Sequence, residues 1–541
     1  MTLLYALAVV ATLFAGWRNW RRLRYFLHVF QLEGYKPGEF SGWLISRFGA
    51  VGLRLSHTSS AIVLIAAFLL AASGRAWAGA VLALALWPIL FASSRIYRSD
   101  RQKKPLRYTP RLVRLLTFAA AFSFICIVAG LFAGTSVGGP EGFLWFLGGL
   151  WVADFAAPLW VLFAAFAMKP VESAVQEGFK EAARARLAAR AHLTVLGITG
   201  SYGKTSVKFI VAEILRQRYS VLATPGSYNT PMGICLVVNE KLKAEHQVLV
   251  LEMGMRHEGD IRELCEIAQP DIAVITSVGV AHLETMGSID RIAREKGSLL
   301  EFSKPGAPAV LNIDDERVAA MADRATGRIW RVSTEGRDAE ITAGEIHYDA
   351  SGATFTVTDE SGDTATFHTH LLGRHNVGNI LLGIAVGRIL GLRLRQMTRA
   401  VERIEPVEHR LQLRKEGEVN VIDDAFNSNP VGARNAVEIL GQFNGGRRII
   451  ITPGMVELGE RQAEENRIFG THIAANADLA ILVGDRQTAP IQEGLRSAGF
   501  PEERVKVVPS LFAAREFLRS YVRPGDTVLY ENDLPDQYNE A

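Results

Sequence analysis

Five apolar runs are crowded into roughly the first 170 residues of this 541-residue chain, and they restrict its possible folds more than any other feature. The runs are Thr2 to Gly16, Ser60 to Ser73, Trp77 to Ala92, Leu115 to Val137 and Phe143 to Met168. A helix needs about 20 apolar residues to cross a bilayer, so the second and third are short unless flanking residues contribute. The alternative for that pair is one re-entrant hairpin around Gly74 and Arg75. A buried helical core competes as a reading for all five, but Leu, Ala, Phe and Trp at this density without amphipathic alternation favour a lipid solvent. Positive charge then orients the runs. Arg18, Arg21, Arg22 and Arg24 follow the first, and Arg95, Arg98, Arg101, Lys103, Lys104, Arg107, Arg111 and Arg114 separate the third from the fourth. Gly138 to Gly142, between the last two, has no Lys or Arg. The positive-inside rule predicts five spans, an external N-terminus and a multi-pass inner-membrane protein whose later residues lie in the cytoplasm, with membrane lipid as one partner. Thr2 to Gly16 has its basic segment after it rather than before, as a retained anchor does.

The remainder has the mixed charge, glycine content and periodicity of a soluble α/β protein. Lys and Arg total 59 against 56 Asp and Glu, a near balance that hides two different solvents and gives no reason to expect a nucleic-acid partner. Lys169 to His192 repeats Val171, Val175, Phe179, Ala183 and Leu187 every four residues, which predicts an amphipathic linking helix. From Leu193, short apolar runs alternate with helical patterns. Gln247 to Leu251, Ile272 to Ile275 and Ala309 to Asn312 read as strands of a parallel sheet, whose ligands sit at the carboxyl ends of its strands. Ile341 to Leu372 alternates polar and apolar residues, predicting a small β insertion. His368 and His370 lie on one face there, without a carboxylate or cysteine to make a metal site. A second α/β unit follows Pro406, with strands near Val419 to Ile422, Arg448 to Thr452, Leu479 to Val483 and Thr527 to Tyr530. The expected division is a membrane region of about five helices (1–168), a helical linker (169–192), a central domain (193–404) and a C-terminal domain (405–541). Cys126, Cys235 and Cys265 have no metal-ligand spacing and read as packing residues in a reducing compartment.

The segment from Gly197 to Ser206 follows an apolar run and opens a helical pattern. It reads as a phosphate-binding loop formed by Gly200, Ser201, Gly203, Lys204, Thr205 and Ser206. The glycines allow a tight turn with N–H groups facing an anion, Lys204 reaches the β- and γ-phosphates of ATP, and the Thr205 hydroxyl is suited to Mg²⁺. The spacing departs from the strict Walker pattern, Gly197 being one residue too far from Gly203 and Gly200 too near. Glu252 ends the run Gln247 to Leu251, where a strand-end carboxylate can meet the metal of a bound nucleotide. His282 holds the equivalent place after Ile272 to Val280. Oxygen ligands suit Mg²⁺, so Glu252 and Thr205 fit better than His282, for which a structural role stays open.

Eight stretches now make a resemblance specific: GITGSYGKTSVK, ATPGSYNTPMG, VLEMGMRHEGDI, VGVAHLETMGSIDRIAREKGSLL, LLGRHNVGNILLGIAV, EHRLQ, VIDDAFNSNPVGARNAV and MVELGE. In this order they resemble the Mur ligase family, most of all its MurF branch, which joins D-alanyl-D-alanine to UDP-MurNAc-tripeptide. The resemblance implies a P-loop ATP-binding domain with a parallel sheet and a Rossmann-like C-terminal domain, here preceded by an α-helical transmembrane region. It also implies ATP-dependent amide-bond synthesis through an acyl phosphate, with a cell-wall precursor as the acid and an amino acid or dipeptide as the amine. Carried over by position, Lys204 stabilises the moving phosphate, and Thr205, Glu252 and His282 hold Mg²⁺. Lys296 matches the lysine that the family carbamylates to serve a second Mg²⁺; without the resemblance it reads as an exposed surface lysine. Asn376 and Asn379 match the adenine-recognising segment, Arg410 the arginine that approaches the γ-phosphate, Asp424 the carboxylate near the ribose, and Asn229 a loop residue on the substrate side.

The departures are as informative. The family's uridine-binding N-terminal domain is replaced by the apolar region, Phe426 stands where a tyrosine is typical, and Tyr530 to Gln537 puts acidic residues where a Lys-Gly-Ser-Arg segment is usual. A poly-γ-glutamate-type synthase, or a ligase acting on a lipid-linked acid, is therefore the alternative within the enzymes. An ATP-driven transporter is less supported, since Asp154 is the one acid within the expected spans. A scaffold that only binds ATP is disfavoured by the intact set Lys204, Thr205, Glu252, His282 and Lys296.

Overall fold

The computed structural model describes residues 2–47, 49, 55–92, 105–349, 351–425, 428–456 and 458–533. Arg95, Arg98, Arg101, Lys103, Lys104, Phe426 and residues 534–541 lie outside that set. The chain divides into two compact units, 1–176 and 177–541.

The first unit is helical: Thr2–Leu32, Pro37–Ser46, Leu55–Ala72, Ala76–Ala92, Pro110–Val137, Gly139–Phe155 and the start of Ala157–Ala188. Among the described residues three of these, Leu55–Ala72, Pro110–Val137 and Ala157–Ala188, are long and apolar enough to cross a membrane. The differences from the five expected runs have local causes. Thr2 to Gly16 is the front half of a 31-residue helix whose second half carries the arginines. Trp77 to Ala92 lies in a helix of 17 residues. Phe143 to Met168 is two helices rather than one, broken at Ala156, because Pro158 has no N–H for the carbonyl four residues back and its ring crowds that turn. Leu55–Ala72 and Ala76–Ala92 form a hairpin through Gly74, at φ +79°, and pack backbone to backbone: a Cβ on Gly79 would lie 2.4 Å from the Ala67 carbonyl oxygen.

A buried ionic cluster joins the helices of this unit. Arg18 Nε donates to Asp154 Oδ2 at 3.0 Å, His57 Nε2 lies 2.7 Å from the same oxygen, and Arg22 Nε lies 3.9 Å from it. Arg18 also donates to Ser56 Oγ at 3.0 Å and to the Phe91 carbonyl. Asp154 is fully buried, so removing it leaves two guanidinium groups without their shared carboxylate, a loss of about 3–5 kcal/mol. Asp154→Ala is therefore expected to lower the thermal unfolding midpoint of the detergent-solubilised protein sharply. An unchanged midpoint would show that the cluster does not hold these helices.

The second unit holds two sheets. In the first, β1 (Thr194–Thr199), β2 (Val221–Ala223), β3 (Val248–Glu252), β4 (Ile272–Ile275), β5 (Ala309–Asn312), β6 (Ile329–Ser333), β7 (Ile341–Asp349), β8 (Gly352–Thr358) and β9 (Thr364–Thr369) take the order β2-β3-β1-β4-β5-β6-β7-β8-β9. Pairing is parallel from β2 to β7 and antiparallel from β7 to β9, so the expected β insertion extends the main sheet. Successive strand residues face opposite sides. Leu196, Ile198, Val248, Val250 and Val274 meet the helices Lys204–Leu215 and Arg374–Ile389, whereas Val195, Leu249, Leu251, Ala273 and Ile275 meet Pro231–Lys241, Asp260–Ile267 and Ile289–Phe302. The second sheet contains β10 (Gln412–Glu416), β11 (Val419–Asp424), β12 (Arg448–Thr452), β13 (Leu479–Val483), β14 (Val505–Val508) and β15 (Thr527–Glu531) in the order β10-β11-β15-β12-β13-β14. It is parallel except for β10, which pairs antiparallel with β11. Cys235 and Cys265 are free thiols buried in the first core, where burial pushes them up to about 11 and about 12.

Candidate active site

The carboxyl ends of β1, β3 and β4 meet around the loop from Gly200 to Gly203. Its two glycines are fixed by space: a Cβ on Gly200 would lie 1.8 Å from Thr276 Oγ1, and one on Gly203 would lie 2.7 Å from Asn379 Oδ1. Gly203, at φ +80°, is the left-handed residue from which the helix Lys204–Leu215 starts. Ser201 braces the loop, its N–H donating to the Ser277 carbonyl at 2.8 Å and its Oγ accepting from Gly279 N–H at 2.8 Å. Lys204 Nζ donates to the carbonyl of Gly200 at 2.6 Å, folding over the anion cradle, and burial pulls its ammonium down to about 8.

Glu252 is the centre of the site. Its Oε2 accepts from Thr205 Oγ1 at 2.9 Å and Lys208 Nζ at 3.2 Å, and its Oε1 from Asn229 Nδ2 at 3.0 Å. Burial opposes its ionisation, yet the ammonium groups of Lys208 and Lys204 and the two neutral donors outweigh this and hold the carboxyl below its usual range. Arg410, from the segment after the first sheet, donates Nη2 to Thr205 Oγ1 at 3.4 Å. His282 sits at φ +66° ahead of a short helix. Burial first, then the charges of Lys204 and Lys296, push its imidazole down to about 3, so it is neutral at physiological pH. Lys296 is only 1% exposed, which overturns the surface-lysine alternative. Burial and the charge of Lys204 hold it well below the ordinary lysine value, with Glu295 opposing. The sequence-predicted Lys204, Thr205, Glu252, His282, Lys296, Asn229 and Arg410 thus share one electrostatic neighbourhood.

A cleft beside this group is lined by Ser206, Phe209, Ile210, Leu371, Asn376, Ile404, Glu405, Pro406, Val407 and Arg410. Asn376 lines it, whereas Asn379 packs against Gly203 and donates Nδ2 to Asn376 Oδ1 at 3.0 Å. Asp424 accepts the Leu411 N–H at 3.1 Å, and burial pushes its carboxyl up to about 6. Sequence reading missed Phe209, Pro406 and Val407, which have no chemical signature, and Lys208, whose i, i+4 spacing from Lys204 was a usable signal. His368 lies apart on β9, with Nδ1 3.0 Å from Thr354 Oγ1.

Thr205 Oγ1 and Glu252 Oε2 are two adjacent oxygen donors, and among the described residues no three His, Cys, Asp or Glu side chains gather into a metal cage. Such a donor pair fits a hard cation that keeps waters and phosphate oxygens as its other ligands, as Mg²⁺ does. A phosphate cradle at the end of a parallel sheet, completed by an arginine from the following segment, defines a nucleotide-dependent phosphoryl-transfer enzyme.

Comparison with known proteins gives the family. Residues 198–387 match the Mur ligase middle domain, and residues 409–530 match the Mur ligase glutamate ligase domain. The UDP-N-acetylmuramoyl-tripeptide–D-alanyl-D-alanine ligase of Mycobacterium tuberculosis (strain CDC 1551 / Oshkosh) is 35% identical over 359 residues, covering 62% of this chain and 70% of that protein. MurF from Acinetobacter baumannii superposes with a TM-score of 0.61 at 26% identity, covering 67% of this chain and 78% of its own. MurF ligase from Thermotoga maritima in complex with ADP gives 0.60 at 27% identity, covering 68% and 82%. The chain belongs to the Mur ligase family and is an ATP-dependent ligase.

The C-terminal sheet carries a second buried acid. Glu531, 1% exposed at the end of β15, accepts from Ser428 Oγ and from Thr452 Oγ1, the latter at 3.0 Å, and burial pushes it up to about 8. Between about pH 4.5 and 8 the folded protein keeps this proton and the unfolded chain does not. Its stabilising contribution is therefore complete below the unfolded value and is lost as pH rises to about 8, by at most about 1.4 kcal/mol per pH unit. Glu531→Gln, which imitates the protonated acid, is expected to flatten the denaturant-measured stability profile in that window. An unaltered slope would place the titration elsewhere.

Proposed function

We propose that the protein is a membrane-anchored, MurF-like ligase of cell-wall precursor assembly that forms an amide bond through an acyl phosphate. The observation that carries this reading is the Thr205–Glu252 pair beneath Lys204, reached by Arg410 from the C-terminal segment. A substrate carboxylate attacks the γ-phosphorus of ATP, the bond to the β–γ bridging oxygen breaks, and ADP leaves. The incoming amine then attacks the acyl carbon, loses a proton and expels inorganic phosphate. Such transfers depend mainly on positioning and charge neutralisation. Lys204 and Arg410 supply fixed positive charge where the phosphoryl group moves, Gly200 to Ser206 bind it through N–H and hydroxyl groups, and Asn229 orients the acid-side loop. Asn376 with Asn379 and the cleft walls take the adenine, and Asp424 takes the ribose. Thr205, Glu252 and His282 would hold Mg²⁺, which when bound neutralises phosphate charge. Lys296, whose ammonium form is disfavoured by burial and by the charge of Lys204, would, as the free amine, take up CO₂ as a carbamate with loss of a proton and so offer an oxygen ligand to a second Mg²⁺.

In this reading residues 1–168 are a multi-pass inner-membrane region, 169–192 a linker, 193–404 the ATP-binding domain and 405–541 the C-terminal domain, with the catalytic parts in the cytoplasm. The apolar helices preceding the catalytic parts favour one second reading, the same chemistry on a lipid-linked acid. The test is phosphate release by the detergent-solubilised protein with Mg-ATP and UDP-MurNAc-tripeptide, with and without D-alanyl-D-alanine, and mass analysis of products. Release requiring both and yielding pentapeptide is expected, and Lys204→Ala is expected to reduce it at least about 100-fold. Stimulation only by a lipid-linked muropeptide would favour the second reading, and no stimulation by either acid would overturn both.

A further inference from the structure

Lys208 lies one helical turn beyond Lys204 and is 0% exposed, although lysine is almost never fully buried unless paired. Its ammonium has two acceptors on different elements: Glu252 Oε2 at 3.2 Å, at the end of β3, and the carbonyl of Gly226. Gly226 lies in the loop that carries Asn229, and Asn229 donates to the other Glu252 oxygen at 3.0 Å while packing against Gly254. The carboxylate is thereby divided, Oε1 given to Asn229 and Oε2 to Thr205 and Lys208. Without the lysine, the phosphate-loop helix and the Asn229 loop lose the direct tie between them and meet only through Glu252, and Oε2 keeps only the Thr205 hydroxyl.

We propose that Lys208 is a positioning residue: a fixed internal cation that ties the phosphate-loop helix to the Asn229 loop and presents Glu252 Oε2 beside Thr205 for a nucleotide-bound divalent cation. The inference rests on the ATP-dependent reading above. By charge alone, a nearby ammonium repels a divalent cation, so its removal would tighten metal binding. If orientation dominates, its removal weakens metal binding, as loss of a ligand's supporting partner generally does.

The test is binding of a fluorescent ATP analogue to the full-length, detergent-solubilised protein across a Mg²⁺ titration and in EDTA, for wild type, Lys208→Met and Lys208→Gln, with melting temperatures recorded. The expected result is a Mg²⁺ half-saturation raised about tenfold or more in Lys208→Met and less in Lys208→Gln, which keeps a donor, with affinity in EDTA changed by a smaller factor than affinity in Mg²⁺. Lys208→Gln also keeps the test open should Lys208→Met not fold. A Mg²⁺ half-saturation that stays the same or falls in the folded variants would overturn the positioning role while leaving the ligase reading intact. Absence of nucleotide binding by wild type, with or without Mg²⁺, would overturn the reading on which both depend.

Discussion

A carboxylate taken out of water must be compensated on every side, and the catalytic half of this protein is organised around that demand at Glu252. The residue is 1% exposed at the end of β3, a strand buried along its whole length. Its three partners come from two places: Thr205 and Lys208 from the helix after β1, and Asn229 from the loop after β2. Because β3 lies between β2 and β1 in the sheet and runs parallel to both, the two connections emerge at the same edge as Glu252. The strand order therefore dictates which chain segments can satisfy Glu252, and satisfying it aligns the Gly200–Gly203 loop with the Asn229 loop.

The same electrostatic rule operates in the helical unit with opposite sign. There Arg18 and Arg22 are the buried cations, and Asp154 is the carboxylate they share. Asp154 was the one marked acid within the expected spans, and its engagement with Arg18 and His57 gives it a packing role that requires no ion pathway. Glycine adds close helix contact: Gly130 faces Gly149 and Gly134 faces Gly142, each pair so close that a Cβ would overlap backbone. In the proposed membrane setting helices would gain little by hiding apolar surface, and close backbone contact and polar pairing would carry more of the cohesion.

Legibility in the sequence followed solvent contrast. β1, β3, β4, β5, β12 and β13 announced themselves as uninterrupted apolar runs because parallel strands are covered on both faces. β10, Gln-Leu-Arg-Lys-Glu, has no such pattern, being a largely exposed strand at the edge of its sheet, and was unreadable. The phosphate loop was legible because its glycines are imposed by local sterics. The burial of Lys296 and Lys208 was not, since a lysine in a helical pattern looks alike whether its neighbours across the fold are water or Glu252. The break at Ala156 was legible in principle: Pro158 marked it inside an otherwise continuous apolar run.

Glu531 changes the meaning of the most acidic departure from the family pattern. In sequence, Tyr530 to Gln537 reads as negative charge at the place where an incoming carboxylate would be held, and the structure describes its first four residues, Tyr530 to Asp533. In the fold, Glu531 turns into the C-terminal sheet, satisfied by Ser428 and Thr452, and burial keeps its proton through neutral pH. Asn532 likewise turns inward, its Nδ2 donating to the Gly454 carbonyl at 2.6 Å. Two of these four positions thus serve the loops after β11 and β12 instead of facing an acceptor. Charge counted along the chain overstates the repulsion an anionic amine donor would meet, because the same burial that makes an acid costly to ionise also removes its charge from the site.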